Sequence, residues 1–149
     1  MRTADCMPRG ASKAKLLPAR FELVPVSDLL PHEEVDSNTV ASVEQEIRAE
    51  GAVLEPILVA DGSLVVLNGH HRLEVLRKLG ARKVPAWIID YHGSLITVDL
   101  WPGTSVKKVP SKKQIESRAR KGLLYPPKTS RHTLRQQLPR RRTPLEELY

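Results

Sequence analysis

At 149 residues the chain has the length of one compact domain with extensions, and its 24 Lys and Arg against 17 Asp and Glu give a formal charge of +7. No apolar run reaches the ~18 residues of a membrane span, and no long apolar core of a secretory signal opens the chain, so a soluble, cytoplasmic protein is expected. The one cysteine, Cys6, excludes an intrachain disulfide and a zinc cluster.

In chain order, residues 1–20 mix Pro, Gly, Ser and Lys without periodicity and read as a flexible basic leader. The segment 21–26 (FELVPV) alternates as a first strand, and a loop containing Pro31 follows over 28–34. Val40, Val43 and Ile47 recur at helical spacing, with Asp36 or Ser37 as N-cap and Gly51 as the stop. Two apolar runs, 56–60 (PILVA) and 64–67 (LVVL), flank Asp61-Gly62-Ser63 and predict a hairpin. Asn68 and Gly69 then form a turn, and Leu73, Val75, Leu76 and Leu79 mark one face of a helix over about 71–79, ended by Gly80. Segments 84–90 (VPAWIID) and 95–101 (LITVDLW) read as two more strands joined through His92-Gly93. Ser111 caps a short basic helix to about Lys121, and the Pro-rich, basic remainder reads as irregular.

The fold class is therefore α+β, with several short strands and two strong helices. The expected core comprises Leu29, Val53, Ile57, Val59, Val66, Leu73, Leu76, Ile88 and Ile96, mainly aliphatic because the chain has one Phe and two Trp. Charge divides the chain in three. Residues 1–20 carry five bases against one acid, 21–106 six against thirteen, and 107–149 thirteen against three. The leader (1–20), an acidic core domain (21–106) and a basic C-terminal extension (107–149) follow from that division. The basic flank could neutralise a nucleotide, fold back on the acidic core, or stand in solution.

The strand-to-helix junction is the chemically informative point. Free N–H groups and the positive dipole end of a helix converge there, and Arg72 adds a forked, permanently charged donor, so the turn suits an anion such as phosphate. A solvated surface turn with two loop histidines fits the same residues.

The run Asn68-Gly69-His70-His71-Arg72, followed by a helix and then Leu79-Gly80-x-x-x-Val84-Pro85, resembles the ParB/sulfiredoxin superfamily. Within it the chain is most similar to the free L-serine kinases. PHEE (31–34) matches that family's His-Glu loop, NGHHR (68–72) its Asp-Gly-His-His-Arg turn, and LLYPPKTSRH (123–132) its Pro-Pro-Lys-[Ser/Thr]-[Ser/Thr]-Arg-His stretch. The resemblance covers about residues 21–149. It implies a ParB/sulfiredoxin-like nucleotide-binding domain, a small mixed sheet with flanking helices. It also implies phosphoryl transfer from ADP or ATP to the hydroxyl of free L-serine, giving O-phospho-L-serine.

Under that resemblance Glu33 accepts the hydroxyl proton, and Gly69, His70, His71 and Arg72 hold the nucleotide phosphates. Lys128, Thr129, Ser130, Arg131 and His132 close over the site, holding the amino acid's carboxylate or the phosphate, and Trp101 matches a substrate-pocket aromatic. Magnesium is expected with the nucleotide and needs few protein ligands; no metal-ligating residue is assigned. His32 either braces the loop or touches substrate, Glu34 reads as a surface acid, and Arg140, Arg141 and Arg142 as solvated or interaction residues. Asn68 stands where the kinases have Asp. An amide carries no charge and takes no proton, which puts turnover in question and leaves the fold untouched.

The competing class is a ParB-like nucleotide- and DNA-binding protein without kinase activity. Only 43 residues follow Val106, with Pro126, Pro127, Pro139 and Pro144 among them, leaving little room for a helix-turn-helix bundle. Specific nucleic-acid binding is therefore not expected, and phosphate contact by the tail would be salt-sensitive and nonspecific. Sulfiredoxin chemistry requires a thiolate where His70 stands. The sequence carries no signal of ADP over ATP or of oligomeric state.

Overall fold

A computed structural model describes residues 19–149; most of the leader, including Cys6, lies outside the described residues. The chain opens with β1 (Ala19–Pro25) and a 3-10 turn over Val26–Asp28. Helix α1 (Ser37–Glu50) follows, its N-terminus closed by the Asp36 carboxylate accepting from Thr39 N–H at 3.0 Å, so Asp36 rather than Ser37 is the cap. Gly51 ends it in a left-handed conformation (φ 65°). Next come β2 (Ala52–Val53), β3 (Ile57–Ala60) and β4 (Val66–Asn68). Helix α2 (His70–Lys78), β5 (Lys83–Ile89), β6 (Ile96–Leu100) and α3 (Lys112–Arg120) precede β7 (Ser130–Leu134) and β8 (Thr143–Pro144). A 3-10 turn over Leu145–Leu148 closes the chain.

The main sheet has strand order β1-β5-β3-β4, with β3 and β5 parallel and the outer pairs antiparallel. Its central strands are apolar on both faces because both faces are covered. Ile57, Val59, Val84, Ala86 and Ile88 face α1 and α2, and Leu73, Val75 and Leu76 of α2 pack into that layer. Leu58, Ala60, Trp87 and Ile89 face the other way, toward Ile115 and Ala119 of α3 and Ile96 of β6. Every residue expected in the core is buried.

The strand expected over 95–101 forms as β6; it follows β5 in sequence but pairs with β7, Val98 opposite His132, because β1 and β3 already occupy both edges of β5. One expectation changes: the C-terminal remainder is not irregular. It supplies β7 and β8, β8 pairs with β2, and Leu148 is fully buried in the helix-side core. Period-2 hydrophobicity missed β7 because its buried positions are polar, Ser130 and His132. The tail arginines fold back on the core: Arg140 pairs with Glu55 at 2.9 Å, Arg142 donates to the Glu50 carbonyl, and Arg141 lies over the Phe21 ring.

Candidate active site

The loop after β1 is laid against the sheet by its backbone. Leu30 N–H donates to Leu64 O and Val66 N–H to Leu30 O, so the chain runs alongside β4 before Pro31 turns it inward. His32 follows, with no exposed surface. Its Nδ1 lies 2.7 Å from Val66 O, which only accepts, so Nδ1 carries the proton and Nε2 faces Ser130 Oγ at 2.9 Å. On the next residue, a parallel bridge to Tyr125 orients Glu33: Tyr125 N–H donates to His32 O, and Glu34 N–H donates to Tyr125 O, each at 2.8 Å.

Past Tyr125, Pro126 and Pro127 stiffen the backbone, and Lys128 adopts φ 57°, a left-handed conformation costing a non-glycine residue about 1–2 kcal/mol. The Thr129 hydroxyl stabilises this bend by donating to Pro126 O at 2.7 Å. Its effect is to aim successive N–H groups at one carboxylate: Ser130 N–H reaches Glu33 Oε2 at 2.8 Å, and Thr129 N–H approaches Oε1 at 3.4 Å. Ser130 Oγ adds a contact of 2.5 Å to Oε2. Burial pushes the Glu33 carboxyl up, but the Ser130 hydroxyl and N–H both donate to it and hold it below the usual carboxylate range. Glu33 is an ionised carboxylate at the mouth of a cleft.

The third wall is the corner between β4 and α2. Gly69, the N-cap, has φ 111°, and a Cβ there would fall 2.3 Å from Ile57 Cγ2. Glycine is required on both counts, and with no side chain to cap the helix its first-turn N–H groups are left to an outside acceptor. The two histidines brace the Glu33 loop. His70 Nε2 accepts from His32 N–H at 3.2 Å, and His71 Nε2 accepts from Asp36 N–H at 3.1 Å. Both are held below the usual histidine range, chiefly by burial, His70 down to about 3. They stay neutral, with Nδ1–H as their remaining donor.

Glu33, Asn68, Gly69, His70, His71, Trp101, Lys128, Ser130 and His132 therefore converge on one cleft of about 210 Å³. Trp101 is 39% exposed, a wall of this cleft and not a core residue. Thr129 sits behind Glu33, fully buried. Arg131 turns outward, its guanidinium 5.3 Å from the Trp101 ring centroid. Arg72 does not line this cleft: Nη1 donates to Glu55 O and Pro56 O, and its guanidinium faces an adjoining cleft of about 320 Å³. That second cleft shares Asn68 and has apolar walls of Leu58, Trp87, Leu134 and Leu138. His132 is buried, its Nε2 2.8 Å from the Tyr91 hydroxyl and its Nδ1 without a partner. Sequence reasoning left His32 between two roles and missed Tyr91 and the second cleft. The HEE triplet was the available signal for His32; nothing local in the sequence points to the others.

Residues 11–98 match the ParB N-terminal domain family. The chain is 39% identical over 83 residues to an ATP-dependent L-serine kinase of Staphylothermus marinus, a stretch covering 53% of this chain and 33% of that protein. It is 35% identical over 108 residues to an ATP-dependent L-serine kinase of Desulfurococcus mucosus, covering 68% and 40%. The matched stretches thus span well under half of these relatives. In fold it is similar to a free serine kinase in complex with AMP, with TM-score 0.78 and 18% identity over 89% of this chain and 94% of that one. The α+β, ParB-like architecture is thereby established.

Proposed function

The chain belongs to the ParB N-terminal domain family, and from that premise we propose that it transfers a phosphoryl group from ADP or ATP to the hydroxyl of free L-serine, giving O-phospho-L-serine. The observation carrying this reading is the ionised, rigidly held Glu33 carboxylate facing an uncapped helix N-terminus across a cleft of about 210 Å³. Phosphoryl transfer is largely positioning and charge stabilisation plus a group to take the hydroxyl proton, and this cleft has the parts for each. The names of the two kinases above support the same chemistry.

Glu33 orients the acceptor hydroxyl and takes its proton. The N–H groups of His70, His71 and Arg72 and the Nδ1–H donors of the two histidines receive the transferred phosphoryl oxygens. Lys128 and His132 face the acceptor's polar groups, and Trp101 walls its side. Residues 107–149 close the site, since Lys128 and Ser130 reach it only through the bend after Pro127. The remaining nucleotide lies in the adjoining cleft, its base against Leu58, Trp87, Leu134 and Leu138 and its charge near Arg72 and Arg140. Magnesium bound with the nucleotide would neutralise phosphate charge and would need few protein ligands. Asn68, at the junction of the two clefts, contributes hydrogen bonds without charge. No helix among the described residues is long and apolar enough to cross a membrane; we place the reaction in the cytoplasm with its two small-molecule substrates.

The protein with magnesium, L-serine and either ADP or ATP should yield O-phosphoserine by mass spectrometry. Glu33→Gln should lower the rate by about 10²–10⁴-fold, the usual contribution of a positioned base. Absence of product with both nucleotides, or full activity in Glu33→Gln, refutes the reading.

A further inference from the structure

Ser130 Oγ stands between two acceptors, 2.5 Å from Glu33 Oε2 and 2.9 Å from His32 Nε2. Because Nδ1 of His32 gives its proton to Val66 O, a neutral His32 presents a lone pair at Nε2. The ionised Glu33 also presents lone pairs, so a single hydroxyl proton must serve two contacts. The row is one proton short of satisfying both. That proton completes it whether it resides on the carboxyl or on Nε2, which stands 3.6 Å from Glu33 Oε2. The row is built, not incidental: His32 is fully buried and Ser130 nearly so, and backbone bonds hold both flanking segments.

We propose that Glu33, Ser130 and His32 form a proton relay carrying the acceptor hydroxyl's proton out of the cleft onto His32, with Ser130 and His32 acting through Glu33 as positioning residues. The inference rests on the phosphotransfer reading above. As the acceptor oxygen bonds to phosphorus and the bond from phosphorus to the departing nucleotide oxygen breaks, the hydroxyl proton passes to the Glu33 carboxylate. Ser130 gives its own proton to His32 Nε2 and takes the one from Glu33 in exchange. Glu33 and Ser130 end unchanged, His32 has gained one proton, and the path reverses to the cleft after the product leaves. The resulting imidazolium would face the carboxylate of Glu33. The other titratable groups around the relay are His70 of α2 at 4.6 Å between ring centroids, His132 of β7 at 5.5 Å and Tyr125 at 6.5 Å. Glu34, His71 and Lys128 line the cleft beside Glu33.

Two measurements on the full chain test this. In nitrogen-15 spectra of the histidine rings without substrate, Ser130→Ala and Glu33→Gln should each move the His32 Nε2 resonance. A His32 signal unaffected by both overturns the relay, whatever the activity. In turnover, Ser130→Ala should lower kcat by about 10- to 100-fold, at or below the low end of general acid–base contributions. The nucleotide KM should hold, the pH profile of kcat should shift, and Ser130→Thr should restore both. Wild-type kcat and pH profile in Ser130→Ala overturn the relay. Absence of phosphoserine from the unmodified protein instead refutes the proposed function, and the ring spectra still decide the relay.

Discussion

Lowering the pH from 7 to 5 should weaken the fold through His132. This side chain is buried on β7 against Tyr91, its Nδ1 has no partner, and the His32 ring lies 5.5 Å away. Burial first, then the neighbouring His32, bring its pKa down to about 3, against an ordinary histidine value near 6.5. With the folded value below the unfolded one, the unfolded chain binds the extra proton throughout the interval. Stability from this group is complete above about 6.5 and is lost as the pH falls toward 3. Over the two units from pH 7 to 5 the linkage relation gives a loss of about 2 kcal/mol for one such group, a large fraction of the 5–15 kcal/mol typical of a domain. His70 shifts in the same direction and adds to the slope. Glu33 does not interfere: its depressed value places its own loss between about pH 4.5 and 2, below the tested range. Urea unfolding at pH 7, 6 and 5 measures the slope, and His132→Gln, which cannot titrate, should flatten it by about 2 kcal/mol across those two units. An unchanged slope in His132→Gln would refute the assignment of a buried, neutral imidazole at this position.

Four further outcomes follow. Gly69→Ala should destabilise by about 2–5 kcal/mol, combining backbone strain at φ 111° with the collision against Ile57; a shift below about 1 kcal/mol in thermal or urea unfolding would contradict the turn geometry. Arg140→Ala removes an exposed pair with Glu55 and should cost less than about 1 kcal/mol in the same measurement. Asn68→Asp should raise the rate of phosphoserine formation, measured beside the unmodified protein, by adding charge where the two clefts meet; an unchanged or lower rate contradicts a role for charge there. Trp101→Ala should raise the serine KM more than it lowers kcat and leave stability within about 0.5 kcal/mol, since the ring is a partly exposed cleft wall.

Local sequence carried the helices and the main sheet because each of those elements advertises its own burial. Asp36 and Gly51 bracket α1, Ser111 caps α3, and the β-branched runs of β3 and β5 are apolar on both faces. The strand-to-helix corner at Gly69 was legible for the same reason, since a glycine between a buried strand and an amphipathic helix marks a helix start. Convergence was a different matter. Glu33 and Ser130 are 97 residues apart, and their meeting depends on a parallel bridge at Tyr125, a left-handed Lys128 and a β6–β7 pairing that no period announces. The polar buried face of β7 hid the strand from any hydrophobic pattern. Arg72 shows the same divide: its charge was evident from the residue type, but its direction was set by the carbonyls of Glu55 and Pro56. Residue chemistry and local periodicity thus determined which groups were available. Which of them share a cleft was decided by long-range backbone pairing, because a hydrogen bond's partner is chosen by where the chain returns and not by its neighbours in sequence.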